Sequence, residues 1–301
     1  MHQREFFIEK NKKKKSSIIV FSKKEKKNNL LIYDAINKIL LLNDILAPKL
    51  IDQKYLNNYI EIEDFGNQTI FKLLKKDTTN KLSIFKKIIK LLIKIQSVRQ
   101  RKINNFKNIS YKIPIYQKKI LFKEAKLFTD WYINQKLSKY KKKIFKKNFL
   151  EIVDNLIQKI HFKNKVFVHR DFHVSNLMMV DNKIGVIDTQ DALIGNKAYD
   201  LASLIDDVRF KSSANIKKKI YDYYLKSQKK INKKHFKNDF EIISVLRNLK
   251  IIGIFSRLAV RDKKRKYLKL IPYAWNLISI RSRNNKIFED LNNLLSTLKK
   301  N

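Results

Sequence analysis

The sequence predicts an α+β protein in which a small mixed region is followed by a larger, mostly helical one. Only 4 Gly and 3 Pro interrupt the 301 residues, so long helices should dominate the chain. Strand-like runs are concentrated near the N-terminus, before residue 65. We therefore expect a small part over residues 1–65 and a helical part over residues 66–301.

The N-terminal elements follow from local pattern. The run SIIVF at residues 17–21 predicts a buried strand, and residues 49–52 with 59–63 predict a β-hairpin. Between them, apolar residues recur with a helical period and predict a helix over residues 30–45. Asn67 ends a turn and is expected to cap a helix that begins at Gln68.

The rest of the chain is predicted to be mainly helical. Apolar periodicity predicts helices over residues 81–99, 118–137, 145–161, 198–209, 214–229, 239–262 and 271–281. The aromatic residues of the C-terminal part are expected to lie in the core or in a groove: Tyr221, Tyr223, Tyr224 and Trp275. One stretch, residues 166–204, departs from the helical pattern.

The charge of the chain is high but dispersed. Lys and Arg number 68 against 27 Asp and Glu, a net charge of +41, and only 11 of the 68 are Arg. A net charge of this sign and size suggests nucleic acid or an anionic membrane as a partner. The Lys residues are spread from end to end, however, and a nucleic-acid reader usually concentrates its charge on one element. A solvated basic surface is the favoured interpretation, with no specific nucleic acid as partner.

Cysteine usage and hydropathy exclude other classes. The chain has no Cys, so disulfides, thiolate metal sites and cysteine nucleophiles are excluded. It has no run of 18 apolar residues and no apolar segment of signal-peptide kind at its beginning. We expect a cytoplasmic protein without a membrane partner.

Residues 166–204 contain a short strand, a polar loop and a hairpin. Residues 166–168, VFV, predict the strand, and the apolar runs 177–180 and 183–187 predict the hairpin. Asp181 and Asn182 form its two-residue turn, since Asp and Asn tolerate the left-handed backbone that such turns require.

The hairpin register predicts which polar side chains meet. Pairing residue 180 with 183 places Asn176 opposite Ile187, so Asn176 and Asp188 should emerge side by side at the open end. Asp171 precedes Asn176 by five residues in the loop and can curl back over the same spot. Three oxygen-bearing side chains therefore converge.

These residue types suit phosphoryl transfer. An Asn amide oxygen and an Asp carboxylate are hard ligands that suit Mg²⁺. A second carboxylate on its own loop can accept a proton from an attacking hydroxyl. His169, Arg170 and Asp171, with Asn176 five residues on, match the kinase catalytic-loop pattern H-R-D-x-x-x-x-N. Asp188 stands in the kinase metal-binding position, although the residues here are Asp188, Thr189 and Gln190, without the Gly of the D-F-G of protein kinases.

The runs HRDFHVSNLM, IGVIDTQDALIG and YDLASL resemble the aminoglycoside phosphotransferase family. This resemblance implies a bilobal, protein-kinase-like fold. More narrowly, IEDFGNQTIFKLL, KEAKLFTDWYI and RNLKIIGIFSRLAVRD look like the bacterial anomeric kinases for N-acetylmuramate and N-acetylglucosamine, which serve cell-wall recycling. The resemblance covers residues from about 45 to 280 and implies an ATP- and Mg²⁺-dependent kinase.

The resemblance also implies roles for the residues of the loop and hairpin. Asp171 would be the catalytic base, and Asn176 and Asp188 would be the magnesium ligands. Asp200 would brace the catalytic loop, and Asp191 would either touch metal or substrate or cap the following loop. The remaining residues expected to shape the loop are His169, Arg170 and His173.

In the small lobe, the hinge around Glu61 to Phe65 would offer backbone groups to adenine, with Glu61, Ile62 and Glu63 as the assigned residues. Two features depart from the family. No Gly-containing phosphate loop precedes the first strand pair, so we expect either a truncated lobe or a coding start further upstream. No strand lysine for the phosphates can be placed either, since Lys23 and Lys24 merely follow the run IIVFS.

The acceptor is suggested by charge. The region beyond residue 210, where this fold builds its acceptor site, has few acids among many Lys and Arg, which disfavours a polycationic aminoglycoside. Arg257 and Arg261 lie four apart on one helix face and suit the carboxylate of N-acetylmuramate. Alternatively, both arginines pair with Asp206, Asp207 or Asp262.

Two further hypotheses of function stay open. A choline, ethanolamine or homoserine kinase on the same fold would have the same loop and hairpin. A non-catalytic relative would bind nucleotide without turnover, as the unusual small lobe allows. The favoured hypothesis is a kinase for the anomeric hydroxyl of N-acetylmuramate or N-acetylglucosamine.

Overall fold

The computed structural model describes residues 5–9, 16–76 and 80–299, and for residues 5–9 and 299 it describes the backbone alone. The architecture is α+β, as the sequence predicts. None of the helices in these ranges is long and apolar enough to cross a lipid bilayer.

The chain divides into two compact units. The first comprises Met1–Ile115, Lys165–Asp200 and Lys218–Tyr223, and the second comprises Tyr116–Asn164, Leu201–Lys217 and Tyr224–Asn301. Residues 66–115 and the loop-and-hairpin stretch therefore group with the N-terminal strands. The lobe boundary at residue 65 is a different division, and it stays a prediction.

The first unit contains a four-stranded antiparallel sheet. Its strands are β1 (Glu5–Glu9), β2 (Ser17–Phe21), β3 (Leu50–Lys54) and β4 (Tyr59–Glu63), in the order β1-β2-β4-β3. The predicted strand at 17–21 and the predicted hairpin are confirmed. Residues 10–15, between β1 and β2 in the chain, lie outside the described residues.

Helix α1 (Asn28–Leu42) connects β2 to β3 and covers the predicted helical stretch, although it ends three residues early. It ends there because Asp44 adopts a left-handed backbone with φ 52°. Alternate residues of β2 and β4 point to one face of the sheet and pack with α1. Their shared core consists of Val20, Leu30, Tyr33, Ile60 and Ile62.

Two helices follow the sheet. Helix α2 (Ile70–Leu74) begins later than predicted, because Thr69 caps it: the Thr69 hydroxyl accepts a hydrogen bond from the Lys72 N–H at 3.1 Å. The prediction of Asn67 as the cap was therefore wrong. Helix α3 (Lys81–Ser97) agrees with its predicted range to within two residues and is capped by Asn80.

The remaining strands of the first unit form three small antiparallel pairs. They are β5 (Lys102–Asn104) with β6 (Ser110–Lys112), β7 (Val166–Val168) with β10 (Leu193–Gly195), and β8 (Leu177–Val180) with β9 (Lys183–Val186). The β5–β6 pair was not predicted, since three-residue strands are too short to show a period.

The second unit is helical. Its helices include α4 (Lys118–Leu127), α5 (Lys139–Gln158), α8 (Lys233–Val260), α9 (Ile271–Ser282) and α10 (Glu289–Ser296). The helices α6 (Ala198–Ile205) and α7 (Ala214–Lys226) each contain residues of both units.

The helix predicted over residues 118–137 is regular only to Leu127 and continues as a π-helical turn, Phe128–Tyr132. Phe128 is fully buried there, and its ring lies 5.6 Å from that of Trp275 in an edge-on contact. The Phe149 ring lies 5.3 Å from the Phe128 ring. Trp275, which is itself partly exposed, therefore packs against an aromatic cluster.

Candidate active site

The polar loop that follows β7 is held by a buried carboxylate. Asp200, in the first turn of α6, is fully buried and accepts hydrogen bonds from the backbone N–H groups of His169 at 2.7 Å and Arg170 at 3.0 Å. Bonds from N–H groups to a carboxylate are stronger than neutral ones. The beginning of the loop is thus fixed by one side chain 30 residues further along the chain.

The β8–β9 hairpin has the predicted register. Val180 pairs with Lys183 and Leu177 with Val186, and the turn residues Asp181 and Asn182 both have positive φ, at 46° and 62°. This is the backbone that a two-residue hairpin turn of matching twist requires.

The open end of the hairpin brings Asn176 beside Asp188. The Ile187 N–H donates to the Asn176 carbonyl at 3.1 Å, which extends the ladder by one step beyond the strands. The Asn176 side-chain amide also donates to the Asp171 carbonyl at 3.1 Å. Asp171, Asn176 and Asp188 are therefore brought together in the first unit.

Two residues of this site have a left-handed backbone. Arg170 has φ 72° and Asp188 has φ 61°, an uncommon conformation for side chains other than glycine. Such strain persists only where the surroundings enforce it, and it is frequent at functional sites. The His169 ring contributes to this restraint, because its Nε2 lies 3.0 Å from the carbonyl oxygen of Ile187.

Asp191 lies beside Arg170. The Arg170 Nη1 is 3.4 Å from the Asp191 carbonyl oxygen and 3.9 Å from its carboxylate. Burial, together with the Asp191 charge, raises the pKa of the Tyr111 hydroxyl to about 12. Asp191 thus has a local structural partner. His173 is buried, and its N–H donates to the Asp171 carbonyl at 3.0 Å.

The donor set suits magnesium completed by phosphates. Within the part of the chain that the structure describes, no group of three or more His, Cys, Asp or Glu could hold a metal ion alone. Magnesium in phosphoryl-transfer sites takes only one or two protein ligands, and phosphate and water oxygens complete its octahedron. The carboxylate of Asp188 and the amide oxygen of Asn176 fit that requirement.

The strand pairing concerns the first three residues of the predicted hinge, Glu61, Ile62 and Glu63. Glu61 and Ile62 lie in β4, an interior strand that pairs with β2 on one side and with β3 on the other. The Glu63 N–H donates to the Lys49 carbonyl at 2.9 Å. These groups are used by the sheet, so Glu61, Ile62 and Glu63 are poor donors for adenine. The chain leaves the sheet only after Glu63.

The phosphate-binding lysine stays unassigned. Strand β2 carries no Lys, and Lys23 and Lys24 are exposed residues beyond its end. The buried acid of α1, Asp34, is engaged locally: its carboxylate lies 2.9 Å from the Lys38 Nζ and accepts from the Phe106 N–H at 2.7 Å. Burial raises the pKa of Asp34 in spite of these contacts.

The two arginines predicted to bind the acceptor lie in the second unit and have different contacts. Arg261 forms a two-pronged ion pair with its neighbour Asp262, at 2.7 and 2.9 Å, as the alternative interpretation proposed. Arg257 is half-buried, and its Nε has no hydrogen-bond partner among the described residues. Burial and then the charge of Arg261 lower the pKa of Arg257. Arg257 therefore differs from Arg261 in having a buried guanidinium nitrogen without a hydrogen-bond partner among the described residues.

Two contacts of the site were missed by sequence reasoning. The Gln190 Nε2 donates to the Asp188 carboxylate at 2.7 Å, and the Thr189 hydroxyl donates to the Asn37 Oδ1 at 2.5 Å. Asn37 lies on the buried face of α1, where a polar residue among apolar ones is a visible signal. Its partner 152 residues away could not be read from the sequence.

Fold and site together define a phosphoryl-transfer enzyme of kinase type. A protein-family model for the phosphotransferase enzyme family matches residues 34–231, which include the loop and the hairpin. The chain belongs to the phosphotransferase enzyme family, and the enzyme class is that of ATP-dependent kinases.

The relatives that the chain matches carry a narrower name. It is 30% identical to the N-acetylmuramate/N-acetylglucosamine kinase of Neisseria meningitidis, over 73% of this chain and 66% of that protein. It is 28% identical to the enzyme of the same name from Pseudomonas aeruginosa, over 84% of this chain and 73% of that protein. The chain thus spans about two thirds to three quarters of these relatives.

A solved structure confirms the fold. The choline kinase of Streptococcus pneumoniae superposes with a TM-score of 0.62 at 14% identity, covering 91% of this chain and 89% of that one. At this identity the likeness establishes the fold alone. The protein-kinase-like fold implied by the sequence resemblance is thereby confirmed.

Proposed function

We propose that this enzyme transfers the γ-phosphoryl group of ATP to the anomeric hydroxyl of N-acetylmuramate or N-acetylglucosamine. The observation that carries the proposal is the similarity to enzymes of that name over most of the chain, at 28–30% identity. The convergence of Asp171, Asn176 and Asp188 supports a complete phosphoryl-transfer site. We place the enzyme in the cytoplasm, where ATP and recovered cell-wall sugars meet.

In this proposal Asp171 is the catalytic base. Its carboxylate accepts the proton of the attacking hydroxyl, and the loop contacts of its backbone with His173 and Asn176 hold it in place. Asp188 and Asn176 would bind magnesium. A magnesium ion held there would supply positive charge against the phosphates of ATP.

The surrounding residues would position these three. Asp200 orients the loop through the N–H groups of His169 and Arg170, and the His169 ring connects the loop to the strand that leads to Asp188. His173 would complete the interior of the loop. We place the adenine contact after β4, in residues 64–67, since the sheet uses the groups of Glu61–Glu63.

The acceptor carboxylate is assigned to Arg257 in preference to Arg261. A guanidinium with a free Nε suits a carboxylate such as the lactyl group of N-acetylmuramate. The charge of Arg261 is already compensated by Asp262. Asp191, paired with Arg170, is retained only as a residue next to the acceptor.

The experiment is an ATP-consumption assay over a panel of acceptors. N-acetylmuramate should be the best substrate and N-acetylglucosamine a weaker one, while their methyl glycosides, blocked at the anomeric oxygen, should be inert. Equal phosphorylation of a blocked sugar would overturn the anomeric assignment. Turnover of choline, ethanolamine or homoserine alone would establish the rival kinase, and nucleotide binding without any turnover would establish the non-catalytic reading.

The arginine assignment has its own matched pair of variants. Arg257→Ala should raise KM for N-acetylmuramate about tenfold or more, the scale of a lost charge-assisted hydrogen bond, and leave KM for N-acetylglucosamine nearly unchanged. Arg261→Ala is the control, since Asp262 already occupies its guanidinium. Equal effects of Arg257→Ala on both sugars would contradict the assignment.

A further inference from the structure

The residue that follows the proposed metal ligand is anchored to a distant helix. Thr189 is fully buried, and its hydroxyl donates a hydrogen bond to the Oδ1 of Asn37 in α1 at 2.5 Å. Asn37 is itself 3% exposed. A buried Thr hydroxyl that lost this acceptor would have to leave its donor unsatisfied, at a cost of about 1–3 kcal/mol.

Asn37 is held on its other side as well. Its Nδ2 donates to the carbonyl of Pro48, just before β3, at 2.9 Å. Both halves of the Asn37 amide are thus used, which fixes the orientation of the side chain and of its acceptor oxygen. The Thr189 hydroxyl therefore meets an acceptor whose place is set by two separate segments, α1 and the entrance to β3.

The backbone at Asp188 needs such a restraint. A left-handed residue other than glycine costs about 1–2 kcal/mol, so Asp188 at φ 61° would relax if its neighbours allowed it. On its N-terminal side, Ile187 is tied to Asn176. On its C-terminal side, Thr189 is tied by its hydroxyl to Asn37 and by its carbonyl to the Ala192 N–H at 3.0 Å.

We propose that Asn37 and Thr189 are a positioning pair, which holds Asp188 in the strained conformation that presents its carboxylate to magnesium. The proposal rests on the metal assignment of the proposed function. The pair also makes α1 a part of the metal site, because a displacement of α1 moves the acceptor of the Thr189 hydroxyl. Residues that orient a metal ligand change metal affinity by about 10–100-fold when they are removed.

The test compares three variants of the full chain. Thr189→Val removes the hydroxyl and keeps the shape, Thr189→Ser keeps the hydroxyl, and Asn37→Leu with Thr189→Val removes both polar groups. Isothermal titration calorimetry measures binding of a non-hydrolysable ATP analogue over a series of Mg²⁺ concentrations, and Tm is recorded in parallel. These readouts separate metal positioning from stability, and neither depends on turnover.

Thr189→Val should raise the Mg²⁺ concentration for half-maximal binding about tenfold or more, while Thr189→Ser stays within about threefold of wild type. The double variant also removes the Asn37 oxygen that Thr189→Val leaves unpaired, so it should recover part of the loss in Tm, although the Pro48 carbonyl then lacks its donor. It should keep the weakened Mg²⁺ response. The double variant also provides a test of the pair if Thr189→Val fails to fold.

Two results would overturn the pair alone: a wild-type Mg²⁺ response in Thr189→Val, or a Mg²⁺ response that recovers with Tm in the double variant. Wild-type protein that binds the analogue with no dependence on Mg²⁺ would overturn the metal assignment, and this proposal with it. The two failures are therefore distinguishable.

Discussion

Two buried acids close together in the sequence, Asp200 in the first unit and Asp206 in the second, are used in different ways. Asp200 accepts its hydrogen bonds from backbone N–H groups of the loop at 169–170. Asp206 accepts from side chains: the Arg281 guanidinium at 2.8 and 3.1 Å, the Lys217 Nζ at 3.1 Å and the Ser244 hydroxyl at 2.6 Å. The first contact orients a loop, whereas the second joins four helical segments.

This difference indicates which residues are expected to affect catalysis and which are expected to affect the stability of the fold. In the first unit, polar groups hold a strained loop and hairpin, so their loss should change chemistry more than folding. In the second unit, Asp206 is fully buried against two cations, and removing it leaves those charges without compensation. The predictions below test that separation.

The largest expected effect is on stability, in Asp206→Ala. Loss of one partner of a buried ion pair costs about 3–5 kcal/mol, because Lys217 and Arg281 stay buried without their counter-charge. Urea unfolding followed by circular dichroism measures the change. Asp222→Ala is the control, since its ion pair with Lys218 is exposed and worth at most about 0.5 kcal/mol. A loss below about 1 kcal/mol in Asp206→Ala would contradict the comparison.

The next effect is on chemistry, in Asp171→Asn. Removal of a general base should lower kcat by at least about 100-fold, which corresponds to about 2.7 kcal/mol of barrier. The variant should keep its Tm and its affinity for nucleotide, since the Asp171 contacts described above are made by its backbone carbonyl. Steady-state kinetics and a melting curve decide it, and activity within a few-fold of wild type would remove Asp171 from the mechanism.

A smaller effect distinguishes two glycines. A Cβ at Gly253 in α8 would overlap the Leu127 carbonyl and lie 2.6 Å from the Phe128 backbone nitrogen. Backbone cannot move aside easily, so Gly253→Ala should destabilise the protein by about 1–3 kcal/mol. Gly185→Ala is the matched variant in the first unit, because its Cβ would meet the Phe65 ring at 2.7 Å, a side chain that can rotate. Thermal unfolding should show the larger loss for Gly253→Ala, and the reverse order would be inconsistent with this account.

The smallest expected effect is in the pH dependence of stability. Burial by itself would raise the pKa of Asp206, but the charges of Arg281 and Lys217 and the bonds to Arg281 and Ser244 hold it below its usual value. Its stabilisation is therefore present above the unfolded-state pKa and lost as the pH falls through the lower folded-state pKa. The wild-type free energy of unfolding should decline below pH about 4, and Asp206→Asn should lose part of that slope.

Asp34 in the first unit should show the opposite sign. Burial raises its pKa, so its contribution is present below the unfolded-state pKa and lost as the pH rises through the raised folded-state value. Asp34→Asn should therefore remove a destabilisation that grows from pH about 4 upward, measured by urea unfolding at a series of pH values. Equal slopes for the Asp34 and Asp206 variants would refute the contrast.

Local pattern predicted much of the fold and the central part of the site. Strand β2, the β3–β4 hairpin and most helices follow from periodicity, and the β8–β9 register follows from a two-residue turn. That register alone brings Asn176 beside Asp188. Strand β7 was predicted, whereas the other three-residue strands, β5, β6 and β10, were missed because so short a run shows no period.

The sequence also could not show which strands lie in the interior of the sheet. Glu61–Glu63 were predicted to belong to a hinge. In the structure, β2 pairs with the edge of β4 that the hairpin leaves free, and this pairing uses the backbone groups of β4. Nor could it choose between the partners of Arg261, which the structure gives to the adjacent Asp262.

Residues close together in the chain were enough to predict the α+β class, the oxygen-bearing residues of the candidate site and the resemblance to sugar kinases. Only the tertiary structure decided that Thr189 is bonded to Asn37 and that Asp206 gathers Lys217, Ser244 and Arg281. The reason is physical: a buried hydrogen bond or ion pair depends on the approach of distant segments, which the packing of the whole chain sets.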